Sequence, residues 1–144
     1  MKFKFLLPVV LLLFSICQTV SGQLEATSKL FLEYKETPGE KNVVPEDAIY
    51  MLNSYIEGYT HLQVVDSKEE SEFTFVLYIY KKALGDRKGR IEVYDSKSGS
   101  LLFQTREWRG TMNAFYGYSG SRHAIGLSFK KDILKEYPHI EKNK

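Results

Sequence analysis

Apolar and polar residues alternate most regularly between Glu72 and Gly110. The run from Phe73 to Tyr80 puts Phe73, Phe75, Leu77 and Ile79 on one side and Thr74, Val76, Tyr78 and Tyr80 on the other, because strand side chains point alternately to opposite faces. Two further runs rich in β-branched and aromatic residues follow, Arg90–Tyr94 and Leu101–Arg109, each after a glycine-containing turn. Three such runs predict an antiparallel meander. One face is wholly apolar and the other amphipathic, so the sheet is expected to be covered on one side and partly open on the other. On that reading, Tyr78 and Tyr80 contribute much less to folding than Leu77 does.

The remaining periodicities place material on that sheet. Leu30, Leu32 and Tyr34 alternate with Phe31, Glu33 and Lys35 and predict a first strand after a frayed lead-in from Gln23 to Ser28. A helix is expected from about Pro45 to Glu57, with Ala48, Leu52, Tyr55 and Ile56 at helical spacing and Gly58 near its stop. Leu62–Asp66 reads as a short edge strand. A second helix, capped by Ser121, carries Ile125, Phe129, Ile133 and Tyr137 every four residues and stops at Pro138. Gly126 on its apolar side is expected to let it sit close to the sheet, and the tail from His139 to be loose. This order predicts an α+β two-layer sandwich: a mostly antiparallel sheet of about five strands with two helices on one face.

The first residues change the picture. A basic start (Lys2, Lys4), an apolar run from Phe5 to Ile16 and small residues before Gln23 have the form of a secretory signal peptide. The expected division is a signal peptide over residues 1–22 and a single α+β domain over residues 23–144. Cys17, just after the apolar run, leaves open the alternative of an outer-membrane lipoprotein. Ile16 stands where such signals want a small residue, which favours ordinary export to the periplasm or medium. Membrane association is then expected only if Cys17 is lipidated. The chain has 20 basic and 18 acidic residues, and the excess is Lys2 and Lys4 in the leader. A balanced mature domain has no global field to draw in nucleic acid.

Candidate chemistry is sparse. Gly117-Tyr-Ser-Gly-Ser121 approaches the nucleophile elbow of serine hydrolases, but Ser121 stands where a second glycine is needed; a loop followed by a helix cap explains the same residues. His61, His123 and His139 lack metal spacing, and nothing in the motifs implies a cofactor. Glu92, Asp95 and Glu107 can approach across a hairpin as glycosidase carboxylates do, although outward polar positions account for them equally. Two groups stand out as binding candidates. Tyr78, Tyr80 and Tyr94 on the open face combine apolar area with a polar tip. Trp108, Arg109, Phe115, Tyr116, Tyr118 and Arg122 gather aromatics and arginine around an irregular loop.

The hairpin from Ile91 to Phe103, with Val93, Asp95, Gly99, Leu101 and Phe103 in order, resembles that of envelope domains related to the N-terminal domain of TolB and to the curli-secretion lipoprotein CsgG. The closing helix, ending in Tyr137-Pro138, is similar to theirs. The likeness departs at Cys17 and at the long aromatic Gly110–Gly120 loop. It implies a non-catalytic part in a periplasmic or outer-membrane assembly. Two functions follow for test: an exported module binding a protein or envelope component, and a small secreted hydrolase or sugar-active enzyme centred on Gly110–His123.

Overall fold

The structure, a computed structural model, describes residues 22–142. The signal peptide expected over residues 1–22, with Cys17, lies outside the described residues except for Gly22. The alternating runs form β1 (Lys29–Tyr34), β3 (Phe73–Lys81), β4 (Arg87–Asp95), β5 (Leu101–Gln104) and β6 (Trp108–Gly110), with a two-residue β2 (Gln63–Val64). The spatial order is β2-β1-β3-β4-β5, and β6 joins the β4 edge beyond β5. β3, β4, β5 and β6 pair antiparallel, as the meander predicts. β1 pairs parallel with both β2 and β3, because helix α1 (Glu46–Tyr59) returns the chain to the end where β1 began. The result is the α+β two-layer fold, an open mixed sheet carrying its helices on one face.

Phe73, Phe75, Leu77 and Ile79 of β3, with Ile91 and Val93 of β4, meet Leu52 and Ile56 of α1 and Ile125, Phe129 and Ile133 in one core. Pro45 is the cap of α1 rather than its first residue, and the helix runs past Gly58 until Thr60 turns extended and bonds back to Ile56 O through its hydroxyl at 2.7 Å. The second helix begins two residues earlier than the sequence predicts. Ser119, not Ser121, caps α2 (Gly120–Leu127), its Oγ accepting from Arg122 N at 3.3 Å. A spacing of four drifts about 40° per repeat on an α-helix. The wider π-helical turn at Ser128–Ile133, followed by the short α3 (Leu134–Glu136), absorbs that drift and keeps Ile125, Phe129 and Ile133 buried.

Close approach of α2 to the sheet depends on Gly89 and Gly110. A Cβ at Gly110 would overlap the Gly120 carbonyl oxygen and lie 2.6 Å from Ala124 N. Gly126 faces α1 instead, against Tyr55 and Tyr116. The ends of the domain are also tied down, contrary to expectation. Leu24 and Ile140 are core residues, His139 Nε2 lies 2.5 Å from the Leu24 carbonyl oxygen, and Lys142 N donates to Tyr59 O at 2.7 Å. The sheet end near Leu62 and Phe73 needs apolar cover, and both flanking segments supply it.

Candidate functional site

The face of the sheet away from the helices is built from β3 and β4 in strict register. Tyr78 lies opposite Arg90, Tyr80 opposite Lys88 and Thr74 opposite Tyr94. The Arg90 guanidinium sits 4.0 Å from the centre of the Tyr78 ring, donates to Glu92 Oε1 at 3.1 and 3.2 Å, and stands 3.7 Å from Glu107 Oε1. Tyr94 donates to Glu92 Oε2 at 2.7 Å and Tyr80 to Glu107 Oε1 at 2.6 Å. Lys88 reaches Glu107 Oε2 at 3.3 Å, and Lys82 lies 4.9 Å over the Tyr80 ring.

These contacts set the charges. Burial pushes the Glu92 carboxyl up, but hydrogen bonds from Tyr94, Tyr78 and Arg90 outweigh it, and the group is held below the usual glutamate range. The Tyr80 hydroxyl and the Lys88 contact hold Glu107 low as well, against its own burial. Burial and the Glu107 bond raise Tyr80, and the Glu92 bond with burial raises Tyr94, so both phenols stay protonated as donors. The network is closed: ionised carboxylates, each already served by cations and phenols. A glycosidase acid needs its pKa raised, and both glutamates move the other way. Asp95 is turned aside, its Oδ1 accepting from Lys97 N, Ser98 N and Ser98 Oγ at 2.7–3.0 Å to close the β4–β5 turn. The alternation of faces holds, but Tyr80 is only 4 % exposed and Tyr78 is half-buried. The face roofs itself with its own long side chains, and Tyr80 belongs to that minor layer.

β6 sends the two residues expected beside the loop to opposite sides. Trp108 faces the second helix, its Nε1 donating to Asp132 Oδ2 in the π-helical turn at 2.9 Å, while Arg109 pairs with Asp86 at the β3–β4 turn. Asp132, delivered by the π-helical turn, also accepts from Arg106 N at 2.9 Å and from its guanidinium at 2.9 and 3.3 Å. Arg106 lies 4.4 Å over the Trp108 ring. This clamp fastens the β5–β6 junction to the second helix.

The loop from Gly110 to Gly120 turns through Ala114–Tyr116 and then places Gly117 and Tyr118 successively in the left-handed region, at φ 58° and 57°. Tyrosine rarely adopts that conformation; here Tyr118 N is held by Asn113 O at 2.8 Å. Tyr116 stacks on His123 with centroids 4.5 Å apart, and His123 Nδ1 lies 3.1 Å from both the backbone nitrogen and the carbonyl oxygen of Thr111. Arg122 reaches Asp47 of α1 at 3.2 Å. Tyr116 is thus the inward plug, whereas Phe115 and Tyr118 are 95 % and 70 % exposed. Val44 at 71 % and Met112 at 66 % exposure join Tyr118 around a cleft of about 430 Å³ that Asp47, Arg87 and Ser121 also line. Val44 and Met112 are absent from the sequence-based candidates. Their one signal is an apolar side chain in a glycine- and proline-punctuated loop with no periodicity to claim it.

The residues that the hydrolase alternative would use do not converge. Ser119 is spent as a helix cap, His123 is held by Thr111 and Asn113, and Glu107 sits on the far face of the sheet. Among the described residues, no group of three or more His, Cys, Asp or Glu is placed to hold a metal, and no helix is long and apolar enough to cross a membrane.

The fold therefore defines a small two-layer α+β domain with an aromatic loop at one end. No protein-family model matches the chain, and no curated protein matches it. Solved structures with a similar chain path include a hypothetical protein of Chlamydia trachomatis (11 % identity, 79 % of this chain and 98 % of that one, TM-score 0.44). The PelC dodecamer of Paraburkholderia phytofirmans aligns at 10 % identity over 75 % and 89 % of the two chains, TM-score 0.45. A lipoprotein of Neisseria meningitidis aligns at 12 % identity over 78 % and 99 %, TM-score 0.40. Alignments this loose establish neither shared ancestry nor shared function.

Proposed function

We propose that the chain is an exported, non-catalytic envelope module that binds a protein or cell-envelope component. Its aromatic loop is the principal contact, and the rim of the open sheet face (Tyr78, Tyr94) is a secondary one. The observation that carries this reading is the group of exposed apolar side chains, Phe115, Tyr118, Met112 and Val44, around one end of a domain whose other apolar residues are mostly buried. Exposed aromatics with a polar surround are the usual anchors of protein interfaces. The signal-peptide pattern of the leader and the hairpin's resemblance to TolB-like domains support a partner in the envelope. The scattering of Ser119, His123 and Glu107 speaks against the hydrolase alternative.

The test is photo-crosslinking in intact cells. A benzoylphenylalanine at Phe115 should give a discrete adduct of fixed mass, and the same group at Glu69, an exposed position in the β2–β3 connection, should give none. Equal labelling from both positions, or none from Phe115 at full expression, would refute the loop as the contact. A hydrolytic activity of the purified mature chain that is lost in Ser119→Ala would restore the enzyme reading.

A further inference from the structure

β1 is six residues long, but its outer neighbour β2 pairs with only its first two, Lys29 with Gln63 and Leu30 with Val64. The bonds Gln63 N to Ser28 O at 3.0 Å and Val65 N to Leu30 O at 2.8 Å show that even-numbered residues turn their backbone groups toward this edge. Odd-numbered ones turn theirs toward β3, as Lys35 N does to Leu77 O at 2.9 Å. After Leu30 the outer partner is gone. The N–H and C=O groups of Leu32 and Tyr34 point to the same edge and have no backbone partner there among the described residues.

The vacated position is not bare solvent. A groove of about 550 Å³ runs along it, walled by Leu32 and Val64 of the sheet, Val65 just beyond, and Ile49, Tyr50 and Asn53 on one face of α1. Tyr50 and Val64 are exposed. At the rim stand Glu46 and Asp66, both exposed carboxylates without an ion pair among the described residues. Unpaired strand groups with apolar walls on both sides select a backbone in extended conformation, since a strand added to an edge satisfies the main-chain donors and acceptors directly. The two carboxylates select against acidic partners and for basic ones.

We propose that the β1 edge beyond β2 is a strand-addition site that takes an extended segment of a partner protein, with apolar residues alternating with lysine or arginine. The site lies on the sheet edge, away from the open face, and is independent of the aromatic loop.

The experiment uses the mature chain and three synthetic octapeptides: alternating valine and lysine, the same peptide with alternate backbone nitrogens methylated, and alternating valine and glutamate. Amide NMR shifts and fluorescence anisotropy are the readouts. The valine–lysine peptide should shift the amides of Leu32, Tyr34, Val64 and Ile49, and bind at least tenfold more tightly than the other two. Glu46→Lys combined with Asp66→Lys should remove most of the preference over the valine–glutamate peptide, keep the preference over the methylated one, and leave the free protein folded by its amide spectrum. Leu32→Pro, which deletes an outward N–H together with the Leu32 side chain that walls the groove, should weaken binding by about tenfold; Val64→Lys, which replaces an apolar wall with a like charge, serves the same purpose if Leu32→Pro fails to fold. Equal binding of the methylated peptide, shifts confined to the Phe115–Tyr118 loop, or no binding at millimolar peptide would overturn the proposal. So would a concentration-dependent dimer that buries the Leu32 edge, because a second copy would then be its occupant.

Discussion

Asp132 offers the most demanding test of how this fold is held. Its carboxylate accepts four hydrogen bonds, three of them at 2.9 Å, from Arg106 and Trp108. Replacing it by alanine leaves Arg106 N and Trp108 Nε1 without partners in a part-buried site, at about 1–2 kcal/mol, the lower part of the usual range, for each group left unsatisfied. The guanidinium adds little, because the Arg106 side chain is 71 % exposed and water replaces its partner. The expected cost of Asp132→Ala is about 2–4 kcal/mol. Asp132→Asn keeps one acceptor for the buried donors and should cost about half as much. Burial pushes the Asp132 carboxyl up, yet the bonds from Arg106 and Trp108 outweigh it and hold it below the ordinary aspartate range. A depressed folded pKa contributes stability that is present above the unfolded value, near pH 3.9, and lost as pH falls through the folded one. The gap between wild type and Asp132→Asn should therefore be constant from pH 7 to about pH 5 and close progressively in the acid range below about pH 4. Urea melts at pH 7, 5, 4 and 3 measure it. A gap under about 0.5 kcal/mol at pH 7, the size of an ordinary surface effect, or one that does not shrink in acid, would show that the clamp does not carry the charge-assisted bonds described.

The minor layer on the open face makes a second prediction: Tyr80→Ser should destabilise by an amount close to Leu77→Ala, about 2–5 kcal/mol, whereas Tyr80→Phe should cost about 1 kcal/mol for the lost bond to Glu107. Denaturant melts decide it, and a near-neutral Tyr80→Ser would return that face to solvent. Gly110→Ala should cost about 2–3 kcal/mol or more by forcing β6 and α2 apart. By contrast, Gly58→Ala, with nothing within 4 Å of its Cβ position, should stabilise α1 by up to about 1 kcal/mol; thermal melts of the pair test both directions together.

Period-two alternation was enough to assign both faces of β3, since neighbouring strand residues cannot share a face, and the helical stripes were enough to put α1 and the second helix on the apolar side. Local signals could not decide which elements become neighbours. The parallel placement of β1 between β2 and β3 depends on where α1 returns the chain, and a two-residue β2 is too short for any pattern. The cap fell to Ser119 rather than Ser121 because packing against Gly110 sets where the helix starts. The four-residue stripe needed a π-helical turn that no propensity announces. Leu24 and Ile140, each isolated in polar flanks, were drawn into the core by a gap at the sheet end that exists only once the layers meet. At the candidate site the aromatic residues were legible, but their division was not. Tyr116 and Phe115 are adjacent in the chain, and only the left-handed pair Gly117–Tyr118 and the stack on His123 turn one inward and leave the other in solvent.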